Sequence, residues 1–199
     1  MDRIARDADQ AMEVVHRLRA LFKKQGTERS ELDLNDAVAE VAALTRSEMM
    51  QNRIDSELRL TPEIPPVLAN RVQIQQIVMN LVLNAIQAMQ HVDDRPRRLR
   101  IGTVVTDEGR VRAFVRDSGV GVPTENLGTL FQPFFSTKPD GTGVGLSISR
   151  SIVASHEGEL WHRPNDGPGS TFGFDLPAAA RVPPGRSLTD EPLHGTQSR

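Results

Sequence analysis

The first periodic segment of the chain is predicted to be a long helix over residues 2–24. Its apolar residues recur in steps of three and four, as on one helical face, at Ile4, Ala8, Ala11, Val15, Leu18 and Phe22. A heptad seam of this kind needs a partner helix, because one helix cannot bury it alone. We expect that partner in a longer parent or in a second chain; the alternative is a helix that lies on its own domain.

Three further helices are predicted beyond a polar linker at residues 25–30. The first follows Asn35, a residue type suited to an N-cap. The second follows Asn70, which forms the spacing of a capping box with Gln73. The apolar periodicity sets the three helices at about 35–49, 70–91 and 143–156.

Alternation of apolar and polar residues predicts six strands, at about 32–34, 54–60, 99–105, 111–117, 160–163 and 171–176. The strand at 54–60 reads as half-buried, and Asp107-Glu108-Gly109 is a hairpin signal. This order predicts an α+β two-layer sandwich, in which three helices cover one face of a mixed, mostly antiparallel sheet. Residues 178–199 are polar and proline-rich without periodicity, so we expect a disordered tail.

The composition narrows the possible functions. The chain has 199 residues, 38% of them hydrophobic, which suffices for one domain with a core. Its formal net charge of −2 gives no reason to expect nucleic-acid binding, and the absence of cysteine excludes disulfides and thiolate chemistry. No apolar run approaches the roughly 20 residues of a membrane helix. We expect a cytoplasmic chain, while a longer parent can still be membrane-anchored.

The glycine-rich stretch from Asp117 to Leu146 is the candidate nucleotide site. Asp117 ends a predicted strand and precedes Gly119 and Gly121, which let the backbone approach a flat ring. A carboxylate in this position can accept a hydrogen bond from the exocyclic amine of adenine. Calcium loops and ordinary turns also use this spacing, so the motif alone leaves those alternatives open.

A second glycine cluster opens directly into a helix and suits phosphate binding. Gly141, Gly143 and Gly145 place backbone N–H groups at the positive end of the helix dipole. Thr142 adds a hydroxyl, and Lys138 adds a positive charge from a proline- and glycine-rich loop that we expect to be mobile. A flexible turn with a kinked helix start is the alternative interpretation.

Asn80 and Asn84 lie four residues apart and therefore on one face of the second predicted helix. Neutral amide oxygens are hard ligands that suit Mg²⁺, which usually keeps water and nucleotide phosphates as its other ligands. Two surface asparagines would be the alternative. The three signals occur together and in order, which favours a nucleotide site with a magnesium ion.

The motifs N-L-V-L-N-A (80–85), D-S-G-V-G (117–121), F-Q-P-F-F-S-T-K (131–138) and G-T-G-V-G-L-S-I (141–148) resemble the N, G1, F and G2 boxes of sensor histidine kinases. Those kinases share an ATP-binding superfamily with gyrase, heat-shock chaperone and mismatch-repair ATPases. The resemblance implies a Bergerat-type catalytic ATP-binding domain at 26–177. It also implies that residues 1–25 are the second helix of a dimerisation and phosphoacceptor hairpin.

The resemblance also assigns roles by position. Asn84 would be the main magnesium ligand with Asn80 as its helper, Asp117 would bind the adenine amine, and Lys138 would reach the phosphates from the ATP lid. The implied ATP-binding residues are Asn80, Asn84, Gln87, Asp117, Gly119, Gly121, Lys138, Gly141, Thr142, Gly143, Val144, Gly145, Leu146 and Thr171. The implied cofactors are ATP and Mg²⁺.

No catalytic residue is assigned, because none of the five histidines stands in the acceptor context of these kinases. The acceptor histidine is expected on a hairpin helix upstream or in another chain, so this chain resembles the catalytic half of a homodimeric kinase that serves a response regulator. ATP hydrolases of the superfamily carry a glutamate where this chain has Asn80, which cannot be a general base at neutral pH. Hydrolysis and a non-enzymatic nucleotide-dependent interaction module remain the alternatives.

Overall fold

The computed structural model describes residues 28–136 and 142–179. The helices are α1 (Leu34–Leu44), α2 (Arg46–Gln51), α3 (Arg71–Met89) and α4 (Gly145–Ser155), with a 3-10 turn at Thr124–Asn126. The strands are β1 (Ser30–Leu32), β2 (Asp55–Arg59), β3 (Val67–Ala69), β4 (Arg98–Val105), β5 (Val111–Asp117), β6 (Glu159–Pro164) and β7 (Ser170–Leu176). The predicted N-terminal helix at 2–24 lies outside the described residues.

The main sheet has five strands in the order β2-β4-β5-β7-β6. β2 runs parallel to β4, and the other three pairings are antiparallel. α1, α3 and α4 pack on one face of this sheet, and β1 pairs with β3 in a separate antiparallel ribbon. The predicted two-layer α+β sandwich with a mixed, mostly antiparallel sheet is confirmed.

α3 lies at the centre of the hydrophobic core. Its apolar residues recur along one face, and the most buried of them are Ile74, Ile77, Leu81 and Met89. Asn70 caps the helix, since its side chain accepts a hydrogen bond from the backbone N–H of Gln73, as the capping-box spacing predicted. The sheet contributes Phe174 of β7 and Leu99 of β4, which are almost fully buried. α3 is therefore held firmly at the position from which Asn80 and Asn84 project.

Three local predictions were wrong. Leu34 begins α1 and does not belong to a strand, and the helix is capped by Asp33, whose side chain accepts from the N–H of Asn35. The predicted half-buried strand at 54–60 is an edge strand whose five residues are all exposed. β3 follows a proline-rich segment that showed no strand pattern. Edge strands carry little periodicity because burial does not constrain both of their faces.

Residues 178 and 179, just beyond the predicted end of the domain, still form hydrogen bonds with it. Ala178 forms an isolated bridge with Val67, and the N–H of Ala179 donates to the carbonyl of Pro66 at 2.7 Å. Residues 180–199, which make up the rest of the predicted tail, lie outside the described residues. Within the described ranges, the helices are too short or too polar to traverse a bilayer.

Candidate nucleotide-binding site

α3 brings the two glycine clusters to one side of the domain. A Cβ atom at Gly145 would collide with the Oδ1 atom of Asn80, so the start of α4 lies directly against that side chain. Two turns further along α3, the carbonyl of Ala88 accepts a hydrogen bond from Val120 N at 3.1 Å. Asn84 lies midway between these contacts, which span about 12 Å of helix. The asparagine pair therefore sits between the two predicted glycine loops.

Asp117 is the buried carboxylate of the site, with a relative exposure of 4%. It is the last residue of β5, and its Oδ1 atom accepts hydrogen bonds from Gly119 N at 2.8 Å and Ser170 N at 3.4 Å. Two backbone donors from different strand ends fix the orientation of the carboxylate. A buried, oriented carboxylate beside a glycine turn is what recognition of an adenine amine requires.

The glycines after Asp117 are required by their surroundings. A Cβ atom at Gly119 would lie 2.6 Å from the carbonyl oxygen of Ala88, so only glycine lets this loop dock against α3. Gly121 has a φ of +75°, in the left-handed region that favours glycine. The D-S-G-V-G sequence therefore forms a tight loop that packs against α3, the helix that carries Asn80 and Asn84.

The second glycine cluster leads into α4 as predicted. Gly143 has a φ of +65°, and an added Cβ would lie 2.5 Å from the backbone of Phe134. Val144 is the N-cap residue and Gly145 is the first residue of the helix. Leu146 packs against the hydrophobic core and anchors the first turn. The N-terminus of α4 is thereby fixed beside α3, where its dipole and N–H groups favour an anion.

Asn80 links α3 to α4 through its side chain. Its Nδ2 atom donates a hydrogen bond to the hydroxyl oxygen of Ser149 at 3.0 Å, and Ser149 is buried. Asn84, one turn along α3, is half-buried. Asn80 thus faces the second glycine cluster, and the helical spacing of four residues puts Asn84 on the same face of α3.

Asn165 belongs to the site although the sequence reading did not identify it. Its Nδ2 atom donates to the backbone carbonyl of Asp117 at 2.8 Å, and its Oδ1 atom accepts from the Thr171 hydroxyl at 2.7 Å. Asn165 therefore links Thr171 to the backbone of Asp117. The only sequence signal for Asn165 is its place in the β6–β7 turn, a common location for asparagine.

Arg95 is a second residue that the sequence reading missed. Its guanidinium group donates to the carbonyls of Ser118 at 3.2 Å and Gly119 at 3.0 Å. These two bonds hold the loop after Asp117 in place. An arginine that binds backbone carbonyls leaves no spacing signature, so only the fold reveals it.

The structure describes only some of the remaining predicted site residues. Gln87 lies on α3 and is exposed, and Thr142 is half-buried beside Gly143. Lys138 and Gly141 lie outside the described residues. The structure therefore brings the adenine and helix-entrance parts of the predicted site together, while the lysine of the lid is not described.

Two histidines support the elements of the site. His156 is buried at the end of α4, where its Nε2 atom accepts from the backbone N–H of Asn70 at 3.1 Å and its Nδ1 atom bonds the Ile152 carbonyl at 2.8 Å. His162 lies 3.0 Å from the Ser170 hydroxyl, and burial lowers its pKa below the usual 6.5.

The fold and sequence place the chain among known proteins. Residues 69–180 match the family described as histidine kinase-, DNA gyrase B-, and HSP90-like ATPase. Sensor protein TdiS of Thauera aromatica is 37% identical over 170 residues, which cover 85% of this chain and 31% of that protein. Sensor protein FixL of Bradyrhizobium diazoefficiens is 37% identical over 179 residues, or 90% of this chain and 35% of that protein. The chain thus spans about a third of the length of these curated relatives.

Solved structures agree with this placement. The catalytic domain of histidine kinase ThkA has a TM-score of 0.67 and 34% identity, and it covers 76% of this chain and 96% of that domain. ThkA in complex with the response regulator TrrA has a TM-score of 0.71 and 28% identity. The match covers 89% of the present chain and 50% of that solved chain. Since more than half of its residues match the family, the chain belongs to the histidine kinase-, DNA gyrase B- and HSP90-like ATPases, as an ATP-binding domain of the sensor histidine kinase type.

Proposed function

We propose that this domain is the catalytic part of a sensor histidine kinase in the cytoplasm. It transfers the γ-phosphoryl group of ATP to a histidine on a dimerisation hairpin, which passes it to an aspartate of a response regulator. Residues 1–25 would be the second helix of that hairpin, in a homodimeric parent. The observation that carries the proposal is Asp117, a buried carboxylate fixed by two backbone donors beside the first glycine cluster.

Each part of the site has a distinct task in nucleotide binding. Asp117 accepts from the adenine amine, and the N–H groups at the start of α4 bind phosphate oxygens. The amide oxygens of Asn80 and Asn84 form a neutral, hard donor set that fits Mg²⁺ completed by phosphate oxygens and water. A bound magnesium ion would offset the charge on the phosphates. In the transfer step the imidazole nitrogen gains the phosphoryl group and the oxygen of ADP leaves with the bonding electrons.

Asn80 favours transfer to a protein over hydrolysis. An amide has no basic site near neutral pH, so it cannot take a proton from an attacking water. Its side chain is also engaged with Ser149 of α4. The acceptor imidazole needs no such base when its attacking nitrogen is already unprotonated, and positioning supplies much of the rate.

The test supplies a separately made hairpin carrying the histidine, together with γ-labelled ATP and Mg²⁺. Label on the hairpin that is stable to base and lost in acid would support histidine phosphorylation. Asn84→Ala should abolish this label. The control is Asn52→Ala, at the C-cap of α2 and outside the candidate site, which should leave the label unchanged.

Two other outcomes would favour the alternatives. Phosphate release without the hairpin, lost in Asn84→Ala, would identify an ATP hydrolase. Tight ATP binding with neither labelled hairpin nor released phosphate would identify a non-enzymatic nucleotide-dependent module.

A further inference from the structure

The second face of the main sheet is not covered by any described helix. Strand pairing places one row of residues straight across this open face, with one residue from each of the five strands. The row consists of Glu57, Arg100, Arg116, Thr171 and Arg163. Three of these five residues are arginines, which we call the arginine row (Arg100, Arg116 and Arg163).

The arginine row is electrostatically costly for the isolated domain. Arg100 and Arg116 are directly opposite each other on neighbouring antiparallel strands, where like charges destabilise a sheet. Arg100 is partly compensated, since its Nε atom lies 2.7 Å from Glu57. Arg116 and Arg163 form no ion pair with a carboxylate in the described part of the chain, and both are exposed. Arg163 also lies over the Trp161 ring, with its guanidinium carbon 5.0 Å from the ring centroid. The row thus has three positive charges and one negative charge, that of Glu57, and this excess suits a ligand that brings negative charge.

An apolar strip lies beside the arginine row. The next cross-strand row contains Gly102, Phe114, Gly173 and Trp161. A Cβ on Gly102 would lie 2.7 Å from the Phe114 ring, and one on Gly173 would collide with the Trp161 ring, so each ring lies over its glycine. Both rings are half-exposed, and we call Phe114 and Trp161 the aromatic row. The open face thus combines apolar rings and guanidinium groups in adjacent rows.

We propose that this open face, on the side of the sheet opposite α1, α3 and α4, docks an acidic amphipathic helix of a partner protein. A helix on the uncovered face would give the sheet a third layer. Strands lie about 4.8 Å apart, so the three arginines stand at roughly 0, 5 and 14 Å along the row. Carboxylates at positions i, i+3 and i+10 of a helix rise by about 4.5 and 15 Å and stay within an arc of about 80°. Leucines at i+4, i+8 and i+11 then face the aromatic row.

The other charges on this face disfavour a nucleic acid. Glu57 lies in the arginine row itself, and Asp175 and Glu159 lie further along β7 and β6. Asp175 is neutralised by paired bonds of 2.7 Å from Arg112, whereas Glu159 is exposed. A continuous phosphate backbone would meet these carboxylates, while a helix can present its acidic residues to the arginines alone.

The proposal is tested with a labelled helical peptide of roughly 14 residues that carries glutamates and leucines at the positions above. Its binding to the full chain is followed by fluorescence anisotropy. Trp161, the single tryptophan of the chain, reports independently on the location through its emission. Saturable binding that changes Trp161 emission, and that weakens at least tenfold in Arg116→Glu/Arg163→Glu, is the expected result.

The matched control is Arg46→Glu/Arg53→Glu, which reverses two exposed charges away from the open face and should bind as the parent does. All variants should retain the parental affinity for ATP, which separates this proposal from the proposed kinase function. Row-variant binding within threefold of the parent would overturn the proposal. So would equal binding of a peptide with the same residues in scrambled order, or tighter binding of a single-stranded RNA of similar length.

Discussion

Asp117→Asn separates recognition of adenine from folding of the domain. In the parent, Asp117 Oδ1 accepts from Gly119 N and Ser170 N, and the amide oxygen of asparagine can keep both bonds. The substitution removes the charge and turns one acceptor into an N–H donor, which faces the donor amine of adenine. A charge-assisted hydrogen bond contributes about 1.5–3 kcal/mol, and an unpaired amine costs a further 1–3 kcal/mol. We expect ATP affinity to fall by roughly 3 kcal/mol, or about 100-fold in Kd.

Calorimetric titration of ATP into the full chain measures the affinity, and thermal unfolding measures the fold. Asp117→Asn should keep a melting temperature close to that of the parent. Asp117→Ala, which removes the acceptor for both N–H groups, should lower stability as well as affinity. A Kd for Asp117→Asn within threefold of the parental value would refute the assignment of Asp117 to the adenine amine.

Three further predictions concern the elements around the site. Gly145→Ala should cost about 1–3 kcal/mol of stability through collision with Asn80, and denaturant unfolding should show a smaller cost in an Asn80→Ala background. His156→Leu keeps this position filled by a buried side chain but removes the imidazole nitrogen that accepts from the Asn70 N–H. Urea unfolding should therefore show a loss of about 1–3 kcal/mol in the free energy of unfolding. Burial lowers the pKa of His162 below 6.5 in the folded chain, so the unfolded chain binds a proton at this residue more readily. The free energy of unfolding should therefore have its full value above pH 6.5 and should fall as the pH drops below 6.5. The fall should be shallower in His162→Gln.

The sequence predicted those parts of the site that depend on local chemistry. Asp117 and Gly119 are identifiable because closely spaced glycines follow a carboxylate at a strand end, and because this motif occurs in order with the asparagine pair and the second glycine cluster. The structure shows a tight loop after Asp117. Asn80 and Asn84 stand out because asparagine is a poor interior helix residue. The N-cap at Asn70 was also predictable, because its hydrogen bond from the Gln73 N–H spans only three residues.

The parts that sequence reading missed depend on contacts between distant segments. Asn165 acts on Asp117 across the sheet, and Arg95 binds carbonyls of a loop that lies more than twenty positions further along the chain. β2 was given a half-buried face because Leu58 alternates with charged residues, yet its position at the sheet edge leaves Leu58 46% exposed. Neither kind of information exists before the strand order is known.

The strand order also determines when the nucleotide site can form. β7, the last strand of the described residues, lies between β5 and β6, so neither of these two strands has that neighbour until β7 has been synthesised. Ser170 and Thr171, which fix Asp117 directly and through Asn165, arrive with the same strand. A nascent or truncated chain that ends before residue 170 would therefore expose two unpaired strand edges, which are prone to aggregation. Completion of the sheet and competence to bind ATP would be reached in a single late folding step, because non-local strand pairing is slow.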